Sequence, residues 1–347
     1  KNLLSKDIMI DHETKIDQLI KNKYLVAKRF FSEYGNKKVF EKKYVSKNIK
    51  LLDESYKILL VDNRDLDIEI ISKKNKKSLF VPLKNTKKIN ELVEKTEALH
   101  IIKDENKEKI SIKTNDIIDS MILDYSVSLD KILYESYLDS VIYFKGSEYK
   151  YDSKTIQQIL TEISKDNFAD SPILNNYTLN HTISNKTTNT TIVKGLFKKL
   201  LEESNKEDLG FLKFPPEKAL YLSIVKPSGM HKKIGTVYGL CEPTNLNFKN
   251  IWKTITDLLS KKIKVSEILN TLSLEPFGLN KASGLFILSL YIIVNKDKIN
   301  IFRDNTYTYD LPVDLLINIW KATDRYEVQL VTLTKEQEKL FKVYVKI

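Results

Sequence analysis

The alternation of apolar and polar residues is clearest between residues 268 and 331, where it predicts a helix, a turn, a helix, a hairpin, a helix and a strand. Pro276 and Gly278 interrupt the chain before an apolar helix that we expect over residues 281–295. Two alternating runs, KINIF and TYTYDL, then predict a β-hairpin that turns at residues 303–305. This order of elements is typical of a winged helix.

The helix in the position of a recognition helix is apolar almost all the way round. Its sequence, SGLFILSLYIIV, is typical of a buried helix. A helix that reads base edges must present hydrogen-bonding side chains to the groove. We therefore predict a winged-helix-like module over residues 266–347 that serves packing or protein contacts in preference to direct DNA readout.

The remaining pattern predicts three further regions, which together make the protein α+β and mainly helical. Residues 1–50 have apolar positions at helical spacing between many lysines, and we expect a helical connector. Residues 51–112 predict a small α/β unit with short strands in YKILLVD, DIEII and SLFVPL, followed by a helix. Residues 113–265 predict a mainly helical region with one hairpin at Gly146 and Ser147.

Two other segments have distinct patterns. A long helix is expected over residues 115–137, and its predicted apolar side consists of Ile117, Ile118, Met121, Ile122, Tyr125 and Leu129. The last residues, LTKEQEKLFKVYVKI, predict a helix followed by a strand.

The net charge of +11 is compatible with a nucleic-acid or anionic partner but does not by itself indicate one. Only Arg29, Arg64, Arg303 and Arg325 are arginines among 57 basic residues. Specific phosphate and guanine recognition favours the planar guanidinium group over the lysine ammonium. DNA therefore stays one candidate partner among others.

The cellular compartment is indicated by the few cysteines and by the absence of membrane-spanning and signal sequences. The single Cys241 excludes an internal disulfide framework and fits a reducing cytoplasm. No apolar run is long enough to span a bilayer, and the first residues lack the apolar core of a signal peptide. We expect a cytoplasmic protein without a membrane partner. Because the sequence starts at Lys1, we also expect it to be part of a longer polypeptide.

Catalytic and metal-binding motifs are absent from the sequence. The four histidines, His12, His100, His181 and His231, have no metal-ligand spacing, and there is no Walker A, GxSxG or HExxH pattern. Asp65, Asp67 and Glu69 would share one face of a strand, which suits a hard cation or, as we prefer, a solvated surface. We predict no catalytic residue, no cofactor and no metal.

Basic clusters are the remaining candidates for contact with nucleic acid or a partner. His231 with two neighbouring lysines follows a flexible Pro-Ser-Gly-Met and suits an anion, whereas lysines on a helix flank suit a phosphate backbone. Simple solvation is the alternative for each cluster. The candidate contact residues are Lys198, Lys199, His231, Lys232, Lys233 and Arg303.

Three stretches in combination resemble a known family. They are SPILNNYTLNHTIS, LGFLKFPPEKALYLSIVKPSGMH and EPFGLNKASGLFILSLYIIVNKDKINIFRDNTY. Their short motifs are Leu209-Gly210, Pro215-Pro216-Glu217 with Tyr221, Gly229 with His231, and Pro276-Phe277-Gly278. Residues 140–331 resemble the region beyond the ATPase domain in large prokaryotic P-loop ATPases of anti-phage defence, of the BREX type. His181 stands where that family is expected to have arginine.

The resemblance implies that an ATPase domain lies elsewhere in the polypeptide. The first hypothesis is a non-catalytic regulatory, assembly or DNA-engaging region of such a defence ATPase, with DNA or other defence-system subunits as partners. The alternative is a free-standing winged-helix DNA-binding regulator. A regulator would show sequence preference in addition to a steep salt dependence of binding.

Overall fold

A computed structural model describes residues 14, 16–17, 20, 23–46, 56–62, 67–106, 110–138, 140–174, 176, 179 and 186–331. The chain forms two compact units: unit 1 comprises residues 1–28 and 38–164, and unit 2 comprises residues 29–37 and 165–347. Helix α1 (Lys28–Tyr34) belongs almost entirely to unit 2. This division differs from the predicted boundaries at residues 50, 112 and 265, because strands on both sides of the predicted α/β unit join one sheet.

Unit 1 is built on a mixed sheet. Its elements are β1 (Tyr24–Val26), β2 (Val39–Val45), β3 (Lys57–Val61), α2 (Ile68–Lys74), β4 (Ser78–Pro82), α3 (Thr86–Glu105), α4 (Ile112–Leu138), β5 (Val141–Phe144), β6 (Ser147–Lys150) and α5 (Ser153–Asn167). The six strands lie in the order β1-β2-β3-β4-β5-β6. β2, β3 and β4 are parallel, and the other neighbouring pairs are antiparallel. Parallel neighbours need a crossover, and α2 supplies the one between β3 and β4.

The predicted helical connector over residues 1–50 is wrong, because β1 and β2 lie within it. In β2 the alternate residues Phe40, Lys42 and Tyr44 are buried, which is the period-two arrangement of a half-buried strand. Helical spacing is realised in α1, where Phe30 is buried. Over such short segments the helix and strand periods fit the same apolar residues, so the pattern did not separate them.

The segment DIEII forms helix α2 and not the predicted strand. Asp67 is the residue before the helix, and its Oδ1 accepts a hydrogen bond from the backbone N of Ile70 at 3.0 Å. Glu69 lies in the first turn, 3.0 Å from Nζ of Lys73. These two carboxylates therefore stabilise a helix and do not share a strand face. Asp65, the third member of the predicted set, lies outside the described residues.

Helices α3 and α4 form an antiparallel hairpin between β4 and β5. At one end the backbone N of Lys84 donates to the backbone oxygen of Ser136 at 3.3 Å. Farther along, Nζ of Lys103 lies 2.5 Å from Oδ1 of Asp119. The two helices thus run in opposite directions and pack on each other. The predicted long helix is confirmed.

The predicted apolar side of that long helix is only partly the packed side. Ile118 and Leu129 are buried, but Ile117 and Met121 are exposed. A helix with apolar residues on several faces does not reveal from its sequence which face a neighbour covers.

Unit 2 is mainly helical and carries two small sheets. After α1 its elements are α6 (Lys186–Glu202), a 3-10 turn (Glu207–Gly210), α7 (Pro216–Leu220) continued by a π-helical turn (Tyr221–Val225) and a helical turn (Lys226–Ser228), β7 (His231–Ile234), β8 (Val237–Leu240), α8 (Leu246–Leu258), β9 (Ile263–Lys264), α9 (Val265–Ser273), α10 (Lys281–Val294), β10 (Ile299–Arg303), β11 (Thr306–Thr308), α11 (Val313–Lys321) and β12 (Tyr326–Leu330). β7 and β8 form a hairpin, and the other strands form an antiparallel sheet in the order β11-β10-β12-β9. The predicted order of elements between residues 268 and 331 is confirmed.

Helix α10 is the centre of the core of unit 2. Every residue from Ser283 to Ile293 is buried, as the apolar sequence predicts. Oδ1 of Asn280 accepts from the backbone N of Ser283 at 2.9 Å and caps the first turn. The ring of Phe286 stacks on Phe197 of α6, with ring centroids 5.8 Å apart. The helix is therefore a packing element.

The hairpin of β10 and β11 turns where the sequence predicts. Asp304 and Asn305 have φ values of 49° and 67°, the left-handed conformation that Asp and Asn tolerate best among residues with side chains. The predicted helix and strand after residue 331 lie outside the described residues.

Candidate functional site

A row of aromatic rings in unit 2 joins segments that are distant in sequence. The ring centroids of Phe211 and Tyr221 are 6.1 Å apart, those of Tyr221 and His231 5.6 Å, and those of His231 and Tyr238 5.5 Å. At one end, Nζ of Lys199 lies 5.6 Å from the centroid of Phe211. We call the four rings the ring row. It ties α6, the π-helical turn and the β7–β8 hairpin together.

His231 is the buried centre of the ring row, with 3% of its surface exposed. Its Nδ1 lies 2.8 Å from the hydroxyl of Tyr221, and its Nε2 lies 2.9 Å from the backbone oxygen of Ser204. Because a carbonyl oxygen only accepts, Nε2 carries the ring proton and Nδ1 accepts from Tyr221. Burial lowers the pKa of His231, so the ring is neutral at pH 7. The predicted anion contact at His231 is thus corrected, because both nitrogens of the buried ring already bond within the protein. The ring holds the β7–β8 hairpin in place.

An acidic turn contacts the ring row at Tyr221. Oδ1 of Asp208 lies 2.6 Å from Nζ of Lys226 and 3.4 Å from the Tyr221 hydroxyl. The hydrogen bond from Lys226 lowers the pKa of Asp208, whereas burial raises the pKa of Tyr221 and keeps its hydroxyl protonated. Asp208 and Leu209 have φ values of 46° and 52°, which residues with side chains adopt only when their surroundings hold them there.

Residues from three of the four short motifs that carry the family resemblance lie between residues 209 and 231 of unit 2. Tyr221 and His231 belong to the ring row, and Leu209 is fully buried in the core of the same unit. Gly229 has φ 77°, and a Cβ at this position would lie 2.1 Å from Oγ1 of Thr244. Glycine is therefore required there by both the backbone and the space.

The loop before α7 exposes apolar and basic side chains next to each other. Leu212 is fully exposed and Phe214 is 71% exposed. Nζ of Lys218 lies 5.3 Å from the centroid of Phe214, and Lys213 is also exposed. No carboxylate of the described chain lies within salt-bridge distance of these two lysines. We call Leu212, Lys213 and Phe214, together with the half-buried Lys218 in α7, the basic aromatic loop.

Two prolines restrict the backbone of this loop. Pro215 and Pro216 follow Phe214 directly, and Pro215 precedes the first residue of α7. Proline disfavours the helical region for the residue before it, so the backbone at Phe214 has restricted conformational freedom. On the inner side, the backbone oxygen of Phe211 lies 3.5 Å from Nζ of Lys218.

The four predicted lysines lie on α6 and β7, two of the elements that the ring row joins. Lys198 is exposed on α6, and Nζ of the half-buried Lys199 lies 3.9 Å from Glu203. Lys232 and Lys233 are exposed on β7, directly after His231. The structure therefore brings Lys199 and His231 into one row and presents their sequence neighbours to solvent.

Arg303 lies elsewhere, at the end of β10. It is exposed, beside Asp304 at 3.9 Å, and its Cζ lies 6.0 Å from the ring centroid of Tyr326. No contact among the described residues joins it to the ring row. At the other end of β10 is a cavity of about 590 Å³ whose rim includes Lys296, Asp297, Lys298 and Asp310. This balanced set of charges points to no particular ligand.

Comparison of the chain with protein-family models, curated proteins and solved structures found no match. In the part of the chain that the structure describes, no group of His, Cys, Asp or Glu residues is placed to hold a metal ion. The helices described there include none that is long and apolar enough to cross a membrane. The interpretation of the site therefore depends on its geometry.

Sequence reasoning missed the basic aromatic loop. The motif FPPE indicated only where a helix begins, and it did not indicate whether Phe214 packs inward or faces solvent. A Phe immediately before two prolines was the one available feature, because proline limits the ways in which that ring can turn back to the core.

Replacing Tyr221 with phenylalanine is expected to lower the free energy of unfolding of unit 2 by about 1–2 kcal/mol, because Nδ1 of the buried His231 loses its donor. Both tryptophans, Trp252 and Trp320, lie in unit 2, so their fluorescence during urea unfolding measures this unit. Tyr238→Phe is the matched control, since that hydroxyl bonds to the exposed Glu207. If both variants lost the same free energy of unfolding, the buried Tyr221–His231 hydrogen bond would not be a stabilising contact.

Proposed function

We propose that this chain is a non-catalytic region of a prokaryotic anti-phage defence ATPase and that unit 2 engages DNA through the basic aromatic loop. The observation that carries the DNA contact is the exposure of Phe214 beside Lys213 and Lys218 on a backbone restricted by proline. Exposed aromatic rings stack on bases, and lysines contact phosphates. The family resemblance supports the defence ATPase, with its nucleotide-binding domain elsewhere in the polypeptide and sister subunits as further partners.

We further propose that residues 266–347 are a winged-helix-like module that packs and does not read bases. The succession of α9, α10 and the β10–β11 hairpin supports the winged-helix proposal. The burial of α10 supports a packing role, because its side chains cannot also enter a groove. The alternative, a free-standing winged-helix regulator, would need exposed polar side chains on that helix.

The test is binding of the whole chain to fluorescein-labelled single-stranded and duplex DNA at several salt concentrations, read by fluorescence anisotropy. The double variant Lys213→Glu with Lys218→Glu is expected to bind about tenfold more weakly. The slope of log affinity against log salt concentration is negative, and it is expected to become less steep by about 2, because two phosphate contacts are lost. Phe214→Leu is expected to weaken single-strand binding about fivefold with the slope unchanged, since it removes stacking and no charge.

A matched control carries the same charge change elsewhere in unit 2. Lys249→Glu with Lys253→Glu alters two exposed lysines of α8 and is expected to leave the salt slope unchanged. Equal slopes in both double variants would refute the DNA contact at the loop. A clear preference for one duplex sequence would favour the free-standing regulator. Absence of a Walker A motif from the full reading frame would count against the defence ATPase.

A further inference from the structure

The β7–β8 hairpin is held at its base and free at its tip. His231 at the base is buried, and the ring of Tyr238 stacks on it with the centroids 5.5 Å apart. The Tyr238 hydroxyl donates to Oε1 of Glu207 at 2.8 Å. Residues 232–237 are all exposed, and a Cβ at Gly235 would meet no heavy atom within 4 Å. The tip therefore projects from a fixed base, and no other described segment covers it.

The outer face of this hairpin carries two aliphatic side chains at the tip. Ile234 pairs with Val237 across the two strands, so both side chains point to the same face. Lys232 and its partner Gly239 also lie on this face, whereas the rings of the ring row are on the other. Ile234 is 47% exposed and Val237 61% exposed. Nothing among the described residues buries this aliphatic pair.

Two lysines flank the aliphatic pair and give the tip a positive charge. Lys232 and Lys233 are exposed and, as successive residues of a strand, point to opposite faces of the hairpin. In the described chain no carboxylate lies within salt-bridge distance of either ammonium group. This combination favours an anionic partner that also offers an apolar contact. We call Lys232, Lys233, Ile234 and Val237 the hairpin tip.

We propose that the hairpin tip is a wedge that enters the minor groove of duplex DNA and kinks the duplex. Wedges of this kind are apolar side chains that insert between two base pairs, while neighbouring basic side chains contact phosphates. Ile234 and Val237 suit the base step, and the two lysines suit the phosphates on the two walls of the groove. The inference rests on the DNA partner proposed for unit 2 but uses a different segment, which the ring row joins to the basic aromatic loop.

The dimensions of the hairpin fit this use. Its exposed part has three residues on each strand and is therefore about 10 Å long. The minor groove is about 7.5 Å deep, so the tip can reach its floor. The groove is only about 6 Å wide, which is narrower than a two-stranded ribbon with its side chains. Entry therefore requires the groove to open, and a kink toward the major groove opens it.

Other occupants fit the hairpin tip less well. Reading of the major groove needs hydrogen bonds to base edges, and the aliphatic pair offers none. Proteins that rest on a bilayer favour aromatic side chains at its surface, but the only ring of this hairpin outside its buried base, Tyr238, is stacked on His231. A second copy docked tip to tip would bring the lysines of both copies together, and like charges oppose that contact.

The test is resonance energy transfer across a duplex of about 25 base pairs with a donor dye at one end and an acceptor dye at the other. The whole chain is expected to raise the transfer efficiency, because apolar wedges kink a duplex by about 20–90°. Ile234→Thr with Val237→Thr is expected to abolish this rise and to weaken duplex binding about fivefold, with single-strand binding unchanged. Threonine is β-branched, so it keeps the preference for a strand while it replaces a methyl group with a hydroxyl.

The matched control for the aliphatic pair is Leu246→Thr with Leu274→Thr. These residues are 77% and 58% exposed elsewhere in unit 2, and this variant is expected to bend the duplex as the unaltered chain does. Duplex binding without a rise in transfer efficiency would overturn the wedge. So would an equal rise with Ile234→Thr and Val237→Thr, or the absence of any binding to duplex DNA.

The two lysines are tested separately. Lys232→Glu with Lys233→Glu is expected to bind duplex DNA about tenfold more weakly, with a salt slope that is less steep by about 2. Lys249→Glu with Lys253→Glu is again the matched control and is expected to keep the slope. Equal slopes in these two double variants would overturn the phosphate contacts of the hairpin tip.

The wedge and the contact at the basic aromatic loop can fail independently. If Lys213→Glu with Lys218→Glu kept the full salt slope while bending still required the hairpin tip, the loop contact would fail and the wedge would stand. A straight duplex combined with the expected loss in that loop variant would overturn the wedge alone. Binding to vesicles of phosphatidylcholine and phosphatidylserine without bending of DNA would overturn it in favour of a membrane. A dimer that Ile234→Thr with Val237→Thr abolishes would overturn it in favour of a second copy.

Discussion

Phe286→Ala is expected to lower the free energy of unfolding of unit 2 by about 3–5 kcal/mol. Phe286 is fully buried at the centre of α10, and its ring stacks on Phe197 of α6. Truncation removes the apolar contacts and leaves a cavity that the close-packed neighbours fill only in part. Urea unfolding followed by the fluorescence of Trp252 and Trp320 measures the loss.

The control for this prediction is Leu246→Ala on α8. Leu246 is 77% exposed, so its truncation is expected to change the free energy of unfolding by less than about 0.5 kcal/mol. Phe286→Ala should leave the salt slope of DNA binding unchanged at temperatures where the unit remains folded. A small loss of stability combined with a large loss of DNA affinity would instead identify α10 as a reading helix.

Unit 1 is expected to become more stable as the pH rises from 7 to about 9, by roughly 2 kcal/mol, because Lys38 is buried. Only 7% of its surface is exposed, and burial lowers its pKa from 10.5 to about 7. Between these two values the unfolded chain binds more protons than the folded chain, so the free energy of unfolding increases with pH. The loss of stability caused by burying Lys38 is greatest below pH 7 and disappears above the ordinary pKa of lysine.

Lys38→Met is expected to remove the larger part of this increase, since methionine has no proton to lose. A smaller part should remain, because burial also lowers the pKa of Lys42 in the same unit. The measurement is urea unfolding followed by far-ultraviolet circular dichroism at several pH values from 7 to about 9. Lys37→Met is the matched control, because Lys37 is the exposed neighbour in the chain. If Lys38→Met shows the same pH slope as the unaltered chain, another group is responsible.

The sequence predicted those parts of the fold that local chemistry determines. Helix α10 is recognisable because an almost unbroken apolar run follows the capping residue Asn280. The hairpin turn at Asp304 and Asn305 is recognisable because both residues tolerate positive φ. In both places the residue type limits the backbone directly, with no information needed from distant segments.

Prediction failed where a local capping bond was overlooked and where the outcome depends on distant neighbours. DIEII has the composition of a strand, but the capping bond of Asp67 makes it a helix. In the ring row Phe211, Tyr221 and His231 meet across a turn with positive φ. No local sequence pattern predicts that these rings meet. Exposure is equally non-local: Phe214 and Leu123 are as apolar as core residues, and only the surrounding chain leaves them uncovered.

The α3–α4 hairpin begins and ends at neighbouring strands of one sheet. β4 pairs with β5, and Oγ of Ser140 donates to the backbone oxygen of Pro82 at 2.8 Å. These contacts hold the two ends of the helical hairpin together. An arm attached in this way can gain or lose whole turns without disturbing any strand pair. The length of this arm can therefore evolve separately from the sheet that carries it.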